Sequence, residues 1–152
     1  MLPLTMTQTD SHVVRRRLSL TSTLGDLARV APWVGDLASE CNIPKETRFA
    51  IELCLEEALS NIVRHGYRGE PGHAFTVDFV GCEGDLNFVI EDRAPAFEPT
   101  KPADALLQDL NSIKPGGQGI RLLYRFAGSV KYERLADGNR LTLGFIGNAN
   151  RD

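Results

Sequence analysis

The alternation of apolar and polar positions sets out the chain's elements in order. Residues 13–21 end in Leu18-Ser19-Leu20-Thr21, a period-two pattern that predicts a strand, with Arg15-Arg16-Arg17 ahead of it as a solvated edge or a partner contact. From residue 22 to 41 apolar side chains recur at helical spacing (Leu24, Leu27, Ala28, Ala31, Val34, Ala38, Cys41), and Pro32 is expected to kink or break that helix. Asn42-Ile43-Pro44 leads into a second, stronger helix, with Pro44 suited to its first turn. Phe49, Ile51, Leu55, Ala58, Leu59 and Ile62 mark its apolar face up to about His65. After a turn-rich connector at 66–72, Phe75, Val77 and Phe79 alternate with Thr76 and Asp78. Leu86, Phe88 and Ile90 then alternate with Asn87 and Glu91, predicting two strands joined by a hairpin turn at 81–85. Residues 94–118 are irregular, hold Pro95, Pro99, Pro102 and Pro115, and carry a short helical pattern at about 103–112. A helix at 119–127 is stopped by Gly128, and strands at 129–135 and 140–146 are joined by Ala136-Asp137-Gly138-Asn139, with Asp-Gly as a hairpin signal. The order β-α-α-β-β-loop-α-β-β implies an α+β fold, a two-layer sandwich of a mostly antiparallel sheet with helices on one face.

Length and composition narrow the classes without naming one. A chain of 152 residues suits one domain, here read as residues 12–148 behind a loose tail at 1–11. With 17 basic and 20 acidic residues the net charge is −3, and no long basic stripe is present, which argues against nucleic-acid binding. Cys41, Cys54 and Cys82 are odd in number and lack C-x-x-C spacing, as expected of a reduced, cytoplasmic protein. The polar start has no apolar signal region, and no apolar run approaches the roughly 18 residues of a membrane span.

Three segments carry chemistry. On the second helix, at about 100° per residue, Ile51, Leu55, Ala58 and Ile62 form the core stripe. Glu57, Asn61 and His65 follow at i, i+4 and i+8 along its flank. A carboxylate and an amide oxygen one turn apart suit Mg²⁺ or the orientation of an attacking hydroxyl; a solvated helix face uses the same spacing. Asp92 continues the phase of Leu86, Phe88 and Ile90, so it points to the covered face of the sheet, as a ligand-reading acid or as a cap of the next loop. Pro115-Gly116-Gly117-Gln118-Gly119 opens a helix, and glycines there let backbone N–H groups approach an anion; a flexible hinge is the other use. No Gly-Lys-Ser/Thr follows, so this is no Walker A loop.

In this order the three segments resemble the GHKL ATPase superfamily, and more narrowly the ATP-binding domains of bacterial anti-sigma-factor serine kinases. The resemblance runs from about Ile43 to Phe145. Its segments are Glu57-Ala58-Leu59-Ser60-Asn61-Ile62-Val63-Arg64-His65-Gly66-Tyr67 for the N box, Glu91-Asp92-Arg93-Ala94-Pro95-Ala96-Phe97-Glu98-Pro99 for the first glycine box, and Gly116-Gly117-Gln118-Gly119-Ile120-Arg121-Leu122-Leu123 for the second. Asn139-Arg140-Leu141-Thr142-Leu143 is similar to the family's last strand.

The resemblance implies a Bergerat-type fold that binds ATP and Mg²⁺. It implies that Asn61 binds Mg²⁺, that Glu57 orients or deprotonates an attacking serine or threonine hydroxyl, and that Asp92 accepts the adenine amino group. Gly117 and Gly119 would bring backbone amides to the phosphates, Ala94, Phe97, Gln118 and Ile120 would join them in binding the nucleotide, and residues 98–115 would form a lid. The family's partners are a sigma factor and a STAS-type anti-anti-sigma protein, which the kinase phosphorylates, and homodimerisation through the first strand and helix is expected. Ala94 stands where family members usually carry glycine, and a methyl group at a point of close approach to the base is expected to weaken nucleotide binding. That departure motivates the alternative of a nucleotide-sensing module that sequesters a partner without phosphotransfer.

Overall fold

The computed structural model describes residues 13–82, 84–96 and 115–147. Strand β1 (Val13–Thr21) leads through a 3-10 helix (Leu24–Arg29) into α1 (Val30–Cys41) and α2 (Lys45–Asn61). A single π turn (Ile62–Gly66) extends α2, and β2 (Ala74–Cys82) and β3 (Asp85–Asp92) follow. Helix α3 (Pro115–Phe126) precedes the hairpin of β4 (Ser129–Leu135) and β5 (Gly138–Ile146). The five strands pair in the order β1-β2-β3-β5-β4, every pair antiparallel, with the helices on one face. This is the α+β two-layer sandwich that the pattern predicts. The expected tail at 1–11 and the helical pattern at 103–112 lie outside the described residues.

Strand phase decides what the covered face holds. Leu18 and Leu20 of β1, Phe75, Val77 and Phe79 of β2, Leu86, Phe88 and Ile90 of β3, and Leu141, Leu143 and Phe145 of β5 all turn inward and are buried. Val34 and Leu37 of α1 and Ile51, Leu55 and Leu59 of α2 close the core from the other layer, each such side chain contributing about 1.5–3 kcal/mol. The opposite face is polar and bears exposed ion pairs, Arg17 with Asp78 and Arg140 with Glu91. β1 is an edge strand, and Arg16 bonds Glu40 of α1.

Several boundaries differ from the sequence expectation, each for a local reason. The first helix breaks before Pro32: residues 24–29 wind as 3-10, and Pro32 sits in the first turn of α1, where its missing N–H costs no bond. The core stripe of α1 is accordingly Val30, Val34, Leu37 and Ala38, while Leu24, Ala28 and Ala31 are exposed. Phe49 also faces outward, at 59% exposure. Pro44 is the extended residue that caps α2 rather than part of its first turn. Helix α3 begins at Pro115, four residues before Gly119, so the glycines lie inside its first turns. The β2–β3 strands run to Cys82 and from Asp85, leaving a tighter turn than expected, with Gly84 at φ +85°.

The last hairpin is also tighter. Leu135 pairs with Gly138, so Ala136-Asp137 form the turn and Gly138 belongs to β5. Its glycine serves close approach: a Cβ there would collide with the Asp92 carbonyl oxygen and come within 3.1 Å of the Arg93 Cα. Both obstacles are backbone and cannot swing aside. Gly138→Ala is therefore expected to destabilise the fold by about 1–3 kcal/mol. Gly25→Ala, with nothing within 4 Å of the added methyl, should leave stability unchanged or slightly raised. Urea unfolding of the two variants beside wild type checks the contrast.

Candidate functional site

Asp92 ends β3 on the covered face and is only 8% exposed. Its Oδ1 accepts two hydrogen bonds, from the Ala94 N–H and from Asn139 Nδ2, both at 2.8 Å. Asn139 reaches it because β5 lies next to β3 with Asp92 directly opposite Asn139. Asn139 Nδ2 also lies 3.1 Å from the carbonyl oxygens of Ala94 and Pro95. On its other side Asn139 Oδ1 accepts from the Tyr132 hydroxyl and from Arg134 Nη1, and Arg134 bonds the Ala94 carbonyl at 3.0 Å. Burial pushes the Asp92 carboxyl above its ordinary value, and the bonds from Asn139 and Ala94 and the charge of Arg134 offset part of that.

The end of α2 closes on the same loop. Tyr67, buried just past the π turn, accepts the Arg93 N–H on its phenol oxygen at 2.8 Å and stacks on His73 at 4.4 Å between ring centroids. Ser22 holds the connector from the other side, donating to the Glu70 carbonyl at 2.6 Å and accepting from the His73 N–H at 2.9 Å. The π turn is visible as the Tyr67 N–H bonding the Ile62 carbonyl, an i→i+5 spacing, at 2.8 Å. His65, within the π turn, is exposed while Asn61 is buried, so it does not share the environment of the stripe expected with Glu57 and Asn61.

Asn61 itself is 4% exposed, and among the described residues its amide makes no hydrogen bond. No fully enclosed side-chain nitrogen or oxygen among those residues lacks a partner, so part of that remaining exposure belongs to the amide. A nearly buried amide without a protein partner is unusual, since most buried polar side chains are hydrogen-bonded. Glu57, one turn earlier, is half-buried. Burial raises its carboxyl above the usual range and Glu56 pushes the same way, while Arg64 and His65 pull it down. It lines a cleft of about 410 Å³ between α2 and the 3-10 helix, with Leu24, Leu27, Glu56 and Arg64; Asn61 and Asp92 are not in that lining.

Ala94 is 2% exposed, and a Cβ built on Gly66 would stand 3.1 Å from the Ala94 Cβ. The extra methyl thus lies against the glycine that ends the π turn, sealed from solvent. Its backbone has no positive φ, so glycine is not required there for conformation. Helix α3 joins the site through α2, where the Cys54 thiol meets the Leu122 carbonyl at 3.9 Å. Gly117, Gln118, Gly119 and Ile120 occupy its first turns. Phe97 and the expected lid at 98–115 fall largely or wholly outside the described residues.

The structure therefore brings the N-box helix, the Asp92 loop and α3 together, and adds Tyr67, Tyr132, Arg134 and Asn139, to which the sequence assigned no role. Only the strand register, which sets Asn139 opposite both Asp92 and Arg134, could have found the last two. Among the described residues no three His, Cys, Asp or Glu side chains cluster as a metal site. Mg²⁺ commonly takes only one or two protein ligands beside phosphates and water, so the Asn61 amide is a fitting donor.

A sandwich with a buried carboxylate at the end of a central strand, an open amide on the facing helix and a glycine-rich helix start defines a nucleotide-binding ATPase-type domain. The chain belongs to the histidine kinase-like ATPase domain family, whose model matches residues 20–145. It is 32% identical over 129 residues to the serine/threonine-protein kinase BtrW of Bordetella bronchiseptica (strain ATCC BAA-588 / NCTC 13252 / RB50), covering 83% of this chain and 88% of that protein. In fold it is similar to the crystal structure of the RsbU and RsbW domains of Rv1364c from Mycobacterium tuberculosis, with a TM-score of 0.65 at 15% identity. That match covers 88% of this chain and 32% of the other. The mycobacterial sensor histidine kinase MprB matches with a TM-score of 0.51 at 14% identity, over 88% and 98% of the two chains. No helix among the described residues is long and apolar enough to cross a membrane.

Because Asp92 holds its proton more tightly when folded than when unfolded, stability falls as pH rises from the ordinary carboxylate range to the raised folded value, and the loss is complete above it. Asp92→Asn keeps an oxygen for the Ala94 and Asn139 donors and removes the buried charge. It should raise the Tm of the nucleotide-free protein by about 2–4 °C at neutral pH. The gain over wild type should shrink as pH is lowered through that window; melting curves of both proteins between about pH 7.5 and about pH 4 measure it.

Proposed function

We propose that the protein is an ATP- and Mg²⁺-dependent serine/threonine kinase that also acts as an anti-sigma regulatory factor, with a STAS-type anti-anti-sigma protein as its phosphoacceptor and a sigma factor as the protein it restrains. The observation that carries this reading is the pairing of an open buried amide, Asn61, with a half-buried carboxylate, Glu57, one turn away on α2. The likeness to BtrW, named a serine/threonine-protein kinase, supports the same chemistry. Bound Mg·ATP would supply the γ-phosphoryl group. Asn61 would donate its amide oxygen to the metal. Asp92 would accept the adenine amino group, with Ala94 and Phe97 beside the base. The first turns of α3, Gly117 to Ile120, would turn backbone N–H groups toward the phosphates.

Glu57 would take the proton of the attacking hydroxyl, its raised pKa bringing it nearer to a base poised for neutral pH. The cleft beside the 3-10 helix, which Glu57 lines without Asn61 or Asp92, would admit the acceptor side chain. Catalysis on this reading is positioning and electrostatics, with no covalent enzyme intermediate. A homodimer built through β1 and α1 and a cytoplasmic setting complete the proposal. The Ala94 methyl packs beside Gly66, and the alternative of a module that sequesters a partner without phosphotransfer is decided by the assay below.

Incubation with ATP, Mg²⁺ and a STAS-type protein should give a phosphoserine or phosphothreonine on that protein, read by intact-mass spectrometry. Glu57→Gln should lower the transfer rate by about 10²–10⁴-fold with ATP affinity retained. Asn61→Ala should instead lose Mg²⁺-dependent ATP binding. Equal transfer by wild type and Glu57→Gln would overturn the assignment of the base. Tight partner binding with no phosphorylation by wild type would move the protein to the sequestering class.

A further inference from the structure

The Asp92 carboxylate is buried, yet only one of its oxygens is occupied. Oδ1 takes the Ala94 N–H and Asn139 Nδ2, both at 2.8 Å, and Oδ2 accepts from no described residue. Which way the Asn139 amide points is settled by its neighbours. Arg134 can only donate, and its Nη1 lies 3.3 Å from Asn139 Oδ1, so the carbonyl end faces β4 and the NH₂ end faces Asp92. The Tyr132 hydroxyl reinforces that orientation from the same strand. The NH₂ group also meets the Ala94 and Pro95 carbonyls at 3.1 Å each, so one side chain fixes both the carboxylate and the first turn of the loop behind it.

We propose that Asn139 is a positioning residue for nucleobase recognition: it locks the rotamer of Asp92 so that Oδ2 alone is offered to the exocyclic amino group of the base, and it holds the carboxylate ready to accept. This rests on the reading of Asp92 as the base-contacting acid. Tyr132 acts one step further out, by keeping the amide from turning over. The charged and titratable groups around Asp92 are Arg134 and Tyr132 from β4, Tyr67 from the α2–β2 connector and Arg93 from its own loop. Each of these groups has a partner other than the Asp92 carboxylate: Arg134 bonds Ala94, Tyr132 bonds Asn139, Tyr67 accepts the Arg93 N–H, and the Arg93 guanidinium bonds Asp137.

The test is calorimetric titration of the full chain with Mg·ATP at several pH values. Asn139→Ser should bind about tenfold more weakly at neutral pH, the loss that follows from one charge-assisted hydrogen bond. It should also lose affinity at a higher pH than wild type as the solution is acidified, since the bond removed is one that lowers the Asp92 pKa. Comparing the two proteins with the same nucleotide cancels the titration of the ligand's own phosphates. Phosphotransfer at saturating ATP should be unchanged, so that KM moves and kcat does not. If Asn139→Ser fails to fold, Tyr132→Phe carries the same expectations in weaker form. An unchanged affinity, or a weaker affinity with an unmoved acid limb, overturns the proposal while leaving the nucleotide site standing. A wild-type protein that binds no nucleotide overturns the site and the proposal together.

Discussion

A carboxylate on the covered face of a sheet is the constraint around which the rest of this structure is arranged. Asp92 follows Leu86, Phe88 and Ile90 into the core, where an ionised group without partners would cost several kcal/mol. It is tolerated because the sheet is not wound in sequence order. With β5 between β3 and β4, Asn139 falls opposite Asp92 and Arg134 falls opposite Asn139. Had β4 paired with β3 instead, the amide and the guanidinium would be on the wrong strands. The strand order is therefore a condition of the site and not only of the fold.

The helical layer answers the same constraint from the other side. α2 delivers a core stripe for two-thirds of its length and then widens into a single π turn, which puts Gly66 against Ala94 and Tyr67 against the Arg93 N–H. The turn occurs where the open amide of Asn61 ends the α-helical run, which is the usual setting of π turns at functional sites. Ser22 then ties the connector to the start of the 3-10 helix, so the loop that Tyr67 stands on is braced at both ends.

Most of the architecture was legible because each strand is half-buried and so alternates, and because Asp92 could be placed on the covered face by phase alone. The helix boundaries were less so. Apolar residues at 24, 28 and 31 keep helical spacing yet point outward, because the 3-10 winding before α1 rotates the stripe onto Val30, Val34 and Leu37. The π turn leaves no mark in a pattern of single residues, since it changes the period for only one turn. Asn139 and Arg134 were invisible for a deeper reason: their role depends on which strands are neighbours, and no local pattern records that. That the Ala94 methyl packs beside Gly66 was likewise not legible, because the two residues meet only through the π turn.

The two faces of the sheet hold their polar groups in different ways. On the open face, charges stand in exposed pairs such as Arg17 with Asp78, which contribute at most about 1 kcal/mol each. On the covered face a leucine in place of Asp92 would continue the apolar run and need no network. Instead the chain keeps a desolvated carboxylate and surrounds it with groups that reduce the penalty without removing it. A network of that kind favours geometry over stability, because Arg134, Tyr132 and Asn139 together leave the acid a single orientation and a single free oxygen. Departures from the local optimum for folding that several converging bonds hold in place are the kind that cluster at functional sites, which is the physical support for the reading of Asp92 proposed above.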